Sequence, residues 1–211
     1  MVRVSVEITS ASPGGFTVDS HYAYVVAESG SIEVDLTITP QDVDWMLPKL
    51  GLIMEMPAGF GKVTWLGAGP HENYRDRKAS AKIGLYSKMV QDMTEDYIRP
   101  QDMGNRSDVR WFAVTDRKGA GIQFVGSELL NFSALHHLPL DLEKANHPYE
   151  LVRQKETILT IDAEHLGLGG GSCGPGPMKQ YQLNAGTVRL SFTMRPVMNG
   201  GSGLSEAGRV L

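Results

Sequence analysis

"SIEVDLTITP", Ser31 to Pro40, sets Ile32, Val34, Leu36 and Ile38 at every second position, with Glu33, Asp35 and Thr37 between them. A period of two is that of a strand with one face buried and the other in solvent. Pro40 cannot donate to a ladder and reads as the strand's end. Upstream, "TVDSHYAYVVAE" (Thr17 to Glu28) reads as another strand, and Glu28-Ser29-Gly30-Ser31 as the hairpin connection between the two. At the start of the chain Val2, Val4, Val6 and Ile8 alternate with polar residues in the same way, where a signal peptide would carry an unbroken apolar run.

Downstream the same signal recurs at short intervals in "KLGLIMEMP", "GKVTW", "VRWFAVTD", "GAGIQFVG", "LLNFSAL", "ETILTIDAEH", "KQYQLN" and "TVRLSFTMRP". Many short strands with turn signals about every ten residues indicate a sandwich or barrel. Two stretches are helical candidates. "KASAKIGLYSKMVQDM" (Lys78 to Met93) is the longer, although its apolar positions fit neither period and Gly84 weakens it. A short helix is expected from Leu140 to Ala145, where Asp141, Glu143 and Lys144 suit the charge pattern of a helix start. The tail "VMNGGSGLSEAGRVL" is polar and glycine-rich and is expected to be flexible or an interface segment. The expectation is one all-β domain over residues 1–196, followed by the tail 197–211.

The chain has 211 residues, 41% of them hydrophobic and 21% charged, which suffices for one substantial core. Its formal net charge of -4 and scattered lysines and arginines offer no field for nucleic acid. No apolar run is long enough to span a membrane, so a soluble chain is expected, with cytoplasmic and periplasmic locations both open. The single cysteine, Cys173, can form no internal disulfide, and no zinc-type Cys/His spacing is present, so no metal or other cofactor is expected on this chain.

"WLGAGPHENYRDR", Trp65 to Arg77, is the densest cluster of reactive side chains. It is not HExxH, because the fifth position from His71 is Arg75. His71, Glu72 and Asp76 are types suited to acid–base work, but retaining glycosidases need two carboxylates about 5 Å apart, which spacing alone does not give. The structural reading is a tight, partly buried loop whose polar groups satisfy one another. In it Gly67 and Gly69 supply unusual backbone angles, Pro70 stiffens the exit, and Asp76 and Arg77 make charge-assisted hydrogen bonds. "GLGGGSCGPGP", Gly167 to Pro177, is neither a P-loop nor a dinucleotide fingerprint and reads as a closely approaching loop. No basic neighbour or helix start is there to activate Cys173 as a nucleophile. "YIRPQDMGNRSDVRWF" carries Arg99, Gln101, Asn105, Arg106, Asp108 and Arg110, planar groups that bind sugar hydroxyls or pin loops together. His136, His137 and His147 show no ligand spacing.

In their order, "WLGAGPHENYRDRKASAKIGLY", "YIRPQDMGNRSDVRWF", "FSAL…DLEKANHPYEL" and "HLGLGGGSCGPGP" closely resemble the C-terminal domain of lactase-type β-galactosidases of glycoside hydrolase family 2. Some bacteria encode this region as a separate small chain. The likeness runs from about Lys49 to Pro196. It implies an antiparallel β-supersandwich of the galactose mutarotase type, truncated here on its N-terminal side, with at most one or two short helices. It also implies that the catalytic glutamates lie elsewhere, on a TIM barrel supplied in cis or as a large chain. This chain would then be inactive alone and would complete the site for a β-galactoside, any divalent metal belonging to the complete enzyme.

On the same resemblance, Trp65, Gly67, Gly69, His71, Glu72, Asn73, Tyr74, Asp76 and Arg77 form a structural motif, and the loop bearing Ser172 and Cys173 contacts substrate. Family members place a tryptophan at the position of Cys173. A thiol gives up the stacking energy of an aromatic face, roughly 1 kcal/mol beyond burial. The rival reading is a free-standing carbohydrate-binding or mutarotase-like protein, in which His71, His147 or His165 would work with Glu72 or Glu164 in proton transfer.

Overall fold

The computed structural model describes residues 1–12, 14–170 and 174–198. These form the strands β1 (Val2–Ala11), β2 (Thr17–Val26), β3 (Ile32–Gln41), β4 (Lys49–Met56), β5 (Lys62–Gly69), β6 (Lys82–Met89), β7 (Arg106–Thr115), β8 (Gly121–Leu135), β9 (Thr157–His165) and β10 (Val188–Val197). One short helix, α1 (Pro139–Lys144), and single 3-10 turns lie between them. Every pairing is antiparallel, in the order β1-β2-β3-β10-β8-β7-β5-β6.

β8 is where the sheet forks. Its first half pairs with β10 from Gly121 to Gly126, and its second half pairs instead with β9 from Asn131 to Leu135. β9 then pairs along its length with β4. The fork gives an open, sandwich-like all-β architecture, as the alternating pattern predicts. The core lies on the inward face, where Phe112 stacks on both Phe124 and Phe132 at centroid distances of 4.6 and 4.2 Å. Trp65 meets Phe132 edge-on, and Phe192 of β10 closes against Phe124. Burying each of these side chains contributes on the order of 2 kcal/mol.

The even residues of β3 do what their spacing demands: Val34, Leu36 and Ile38 are buried, and each faces an even residue of β10. Their face continues through Tyr22 and Tyr24 of β2 to Val4 and Val6 of β1, which lie directly opposite those tyrosines. Burial fades along the way. Val2, Val4, Val6 and Ile8 are 60, 46, 37 and 45% exposed, an apolar row on an edge strand.

Four expectations are corrected. Residues 82–89 of the longer helical candidate are strand β6, paired residue for residue with β5 from Lys62↔Met89 to Gly69↔Lys82. That ladder, with Tyr86 packed on Trp65 at 5.4 Å, overrides a weak local propensity. "KQYQLN" contains a 3-10 turn at Lys179–Tyr181 in place of a strand; Tyr181 N–H turns back to Met178 O, and Tyr181 O accepts from Gly167 N–H. "GAGIQFVG" and "LLNFSAL" belong to one strand, β8, because two different partners hold its halves. Finally, β3 runs through Pro40 to Gln41, since its pairing with β10 stops at Ile38 and the proline lies beyond the doubly paired part.

Gly67 and Gly69 also act differently from expectation. Both lie within β5, and neither is among the glycines with positive φ. What they supply is space: a Cβ on Gly67 would sit 2.6 Å from Val109 Cγ2 and 2.8 Å from Val109 Cα, and one on Gly69 would sit 2.7 Å from the Tyr86 ring. Backbone cannot yield as a flexible side chain does, so Gly67→Ala is expected to cost about 2 kcal/mol or more by overpacking. Urea unfolding measures it, and a cost below 0.5 kcal/mol, on the order of an ordinary surface change, would contradict the close approach of β5 and β7.

Candidate functional site

The chain leaves β5 at Gly69 and turns through residues 70–81 before β6 begins. Trp65 anchors the base of this excursion: it is fully buried, and its indole N–H donates to Ala68 O at 3.0 Å. Asn73, also fully buried, knits the turn to β7. Its carboxamide oxygen accepts from Ser107 N–H (2.9 Å) and Ser107 hydroxyl (2.6 Å), its backbone N–H donates to Asn105 O, and its own carbonyl accepts from Asn105 Nδ2 (2.8 Å). His71 points outward to Ser80 Oγ at 2.9 Å.

Glu72 is the hub. It is 5% exposed, and its carboxylate accepts from Arg77 Nη2, Tyr97 hydroxyl, Tyr74 hydroxyl and the backbone N–H of Gly104. A buried carboxylate is tolerated only when its lone pairs are met in this way. The bonds draw the 70s turn onto the segment that precedes β7. Arg77 also lies over the Tyr74 ring, 5.1 Å from its centroid. The Tyr74 phenol is held well above the usual tyrosine range, first by burial and then by the Glu72 charge.

Near Glu72 lies Arg106, fully buried with no carboxylate bonded to it among the described residues. It donates to Gly104 O and Asn105 O and sits over the Trp65 ring at 5.3 Å. Burial pushes its guanidinium down to about 10, against the opposing pull of Glu95 and Glu72, so it stays charged near neutrality.

Asp76 and Arg75 face away from the hub, toward the strand end of β9 and the segment after it. Asp76 accepts from the backbone N–H groups of Leu168 (3.0 Å) and Gly169 (2.7 Å), the first residues of the glycine-rich segment. Arg75 donates to Glu164 at 3.1 Å and His165 O at 3.3 Å. The turn thus fixes Leu168 and Gly169, near the start of the glycine-rich segment. Ser172 and Cys173, expected to contact substrate, lie outside the described residues.

A second polar group sits beside Tyr74. His165 packs edge-on against that ring at 5.1 Å and bonds Asp102 at 3.3 Å, while Lys49 Nζ meets the other Asp102 oxygen at 2.9 Å. Burial alone would raise the Asp102 carboxyl, but the His165 hydrogen bond and the Lys49 charge outweigh it and hold it below the ordinary value. Asp162 is buried nearby, with Oδ2 lacking a partner, and burial pushes its pKa up to about 6 against the pull of Lys49 and His165.

Sequence reading singled out the 70s turn but missed Lys49, Tyr97, Asp102 and Asp162, which come from three other places in the chain, β4, the stretch before β7 and β9; no spacing rule links them. None of the three histidines drafted for proton transfer bonds Glu72 or Glu164 among the described residues: His71 bonds Ser80, His147 bonds Glu150, and His165 bonds Asp102. Nor is any group of three or more His, Cys, Asp or Glu side chains gathered for a metal ion among those residues.

Two outcomes follow from this geometry. Glu72→Gln turns an amide toward donors and removes the partner of Arg77, with an expected cost of about 2–3 kcal/mol in urea unfolding; a loss under 1 kcal/mol would mean the hub does not hold the loops. Asp162 ionises in the folded state near 6, above its unfolded value of 3.8. The folded chain therefore keeps a proton that the unfolded chain has lost, and stability falls as pH rises from about 4 through about 6. Relative to Asp162→Asn, the parent chain should lose about 2 kcal/mol between pH 4.5 and 7.5, and parallel stability profiles would refute the assignment.

The comparisons with known proteins agree with this architecture. The family model described as beta galactosidase small chain matches residues 1–195. A beta-galactosidase of Priestia megaterium is 33% identical over 179 residues, covering 84% of this chain and 17% of the relative. One of Photobacterium profundum is 31% identical over 201 residues, covering 94% of this chain and 19% of the relative. One of Halalkalibacterium halodurans is 31% identical over 173 residues, covering 80% and 17%. The chain thus spans less than a fifth of the length of these curated relatives, and with a family model matched across nearly its whole length, it belongs to the beta-galactosidase small-chain family.

Proposed function

We propose that this chain is a non-catalytic part of a β-galactosidase, the enzyme that hydrolyses terminal β-D-galactosyl residues. In this reading it completes the galactoside-binding site at the edge of a TIM barrel supplied by the rest of the enzyme. The observation that carries it is the double hydrogen bond from Leu168 and Gly169 N–H to Asp76. A carboxylate accepting two backbone donors is a rigid mooring, and here it holds Leu168 and Gly169, near the start of the glycine-rich segment, beside the 70s turn. Supporting it is the commitment of the turn's own acids: Glu72 and Asp76 spend their lone pairs on the protein's N–H and O–H groups and are not free to work as a pair on a sugar. Acid–base hydrolysis then falls to carboxylates outside this chain, as does any divalent metal.

The test is hydrolysis of a chromogenic galactoside. The 211-residue chain alone is expected to give no turnover, and mixing it with the catalytic portion of the enzyme should restore activity. Asp76→Ala should lower kcat/KM of the assembled enzyme at least tenfold, roughly 1.4 kcal/mol of transition-state binding, mainly through KM. Turnover by the lone chain, or an unchanged KM in the variant, would overturn the reading.

A further inference from the structure

At the opposite end of β5 from the His71–Arg77 turn, the outward faces of β5, β6 and β7 form the floor of a groove of about 940 Å³. The β7–β8 turn and the segment that leads into β9 make its walls. Its lining is strongly cationic for a chain of net charge -4: Lys62, Arg117, Lys118, Arg153 and Lys155 line it, against the single carboxylate of Asp116. That carboxylate is already engaged, accepting from the backbone N–H groups of Lys118 and Ala120 at 2.8 and 2.9 Å. None of the five cations is ion-paired to a carboxylate among the described residues.

A second observation comes from the floor. Trp111 lines the groove and is 2% exposed, yet its indole N–H has no hydrogen-bond partner among the described residues. Gln123 lies on the same face of the neighbouring strand, opposite Ala113; it is 3% exposed, and its amide nitrogen is likewise unpartnered. Buried indole and amide donors normally find an acceptor. Here a buried donor lies in the floor beneath a set of cations without ion pairs among the described residues, and both call for the same chemistry, an oxygen acceptor carrying negative charge. The exposed side chains Leu85 and Met89 add an apolar wall.

We infer that this groove binds a small multivalent oxyanion, a di- or triphosphate-like or polycarboxylate ligand of about the size of a sugar phosphate. Arg153 and Lys155 hold it from the wall and Lys62 from the floor. With the flexible rim side chains turned aside, the ligand supplies the acceptor that the Trp111 indole lacks. The volume lies in the range of small-molecule sites.

The test is a titration of the ¹⁵N-labelled 211-residue chain at low salt with inorganic pyrophosphate and, separately, with citrate. The readout is the indole N–H resonance of Trp111, assigned by its loss in Trp111→Phe; the resonances of Trp45 and Trp65 serve as internal controls. A saturable shift confined to Trp111 is expected with at least one probe, and the tighter of the two identifies phosphate or carboxylate as the preferred head group. Arg153→Gln combined with Lys155→Gln, both at exposed positions, should weaken binding at least tenfold while leaving the Trp45 and Trp65 resonances in place. The inference is overturned by no shift with either probe, by a shift that sodium chloride of equal ionic strength reproduces, or by one that survives unchanged in the double variant.

Discussion

A buried carboxylate must find donors or stay out of the interior, and the Glu72 carboxylate resolves this by pulling four of them to one point. Tyr74 and Arg77 come from its own turn, and Tyr97 and Gly104 come from the approach to β7. No local propensity would keep these irregular segments together, for they contain no helix or strand of their own beyond the single bridge between Tyr74 and Arg77. Because the turn is fixed at Glu72, Asp76 and Arg75 project in a fixed direction on its far side, and the start of the glycine-rich segment inherits that position. Whatever residues 167–177 do, they do from a place set by a hydrogen-bond network that belongs to the fold.

The charges below this network are arranged to avoid cancellation. Arg106 lies in the core among carbonyls and an aromatic face, while Asp162 is buried on β9 with one oxygen unmet. Each is shifted toward neutrality by desolvation, the arginine downward and the aspartate upward. Asp102, held between Lys49 and His165, has enough opposite charge around it to reverse that tendency. The polar interior thus stores unequal penalties, the largest falling on groups that pair with backbone or with nothing.

Fold class was legible because alternation is local. Val34, Leu36 and Ile38 announce a buried strand face without help from the rest of the chain. The strand at 82–89 was not legible, since its evidence is the open edge of β5, 13 to 27 residues away in register. The role of Gly67 was misread for a similar reason: the sequence displays its freedom of φ, while the demand on it comes from Val109 across the sheet. At the site, the motif Trp65–Arg77 stood out by composition, yet its meaning depends on Tyr97, Asp102 and Lys49, which only folding brings close. Residue chemistry was readable one residue at a time, and partnership was not.

The apolar row of β1 bears on how such a chain must be handled. Its inner side is stitched to β2 over ten residue pairs, while its outer edge has no neighbour among the described residues and its core-side face ends in half-exposed valines. An edge with free N–H and C=O groups beside a hydrophobic strip is a template for strand addition. For the separated chain, β1 is then the surface on which copies would pair as the solution is concentrated, and a lysine at Val4 or Val6 is the economical way to blunt that edge.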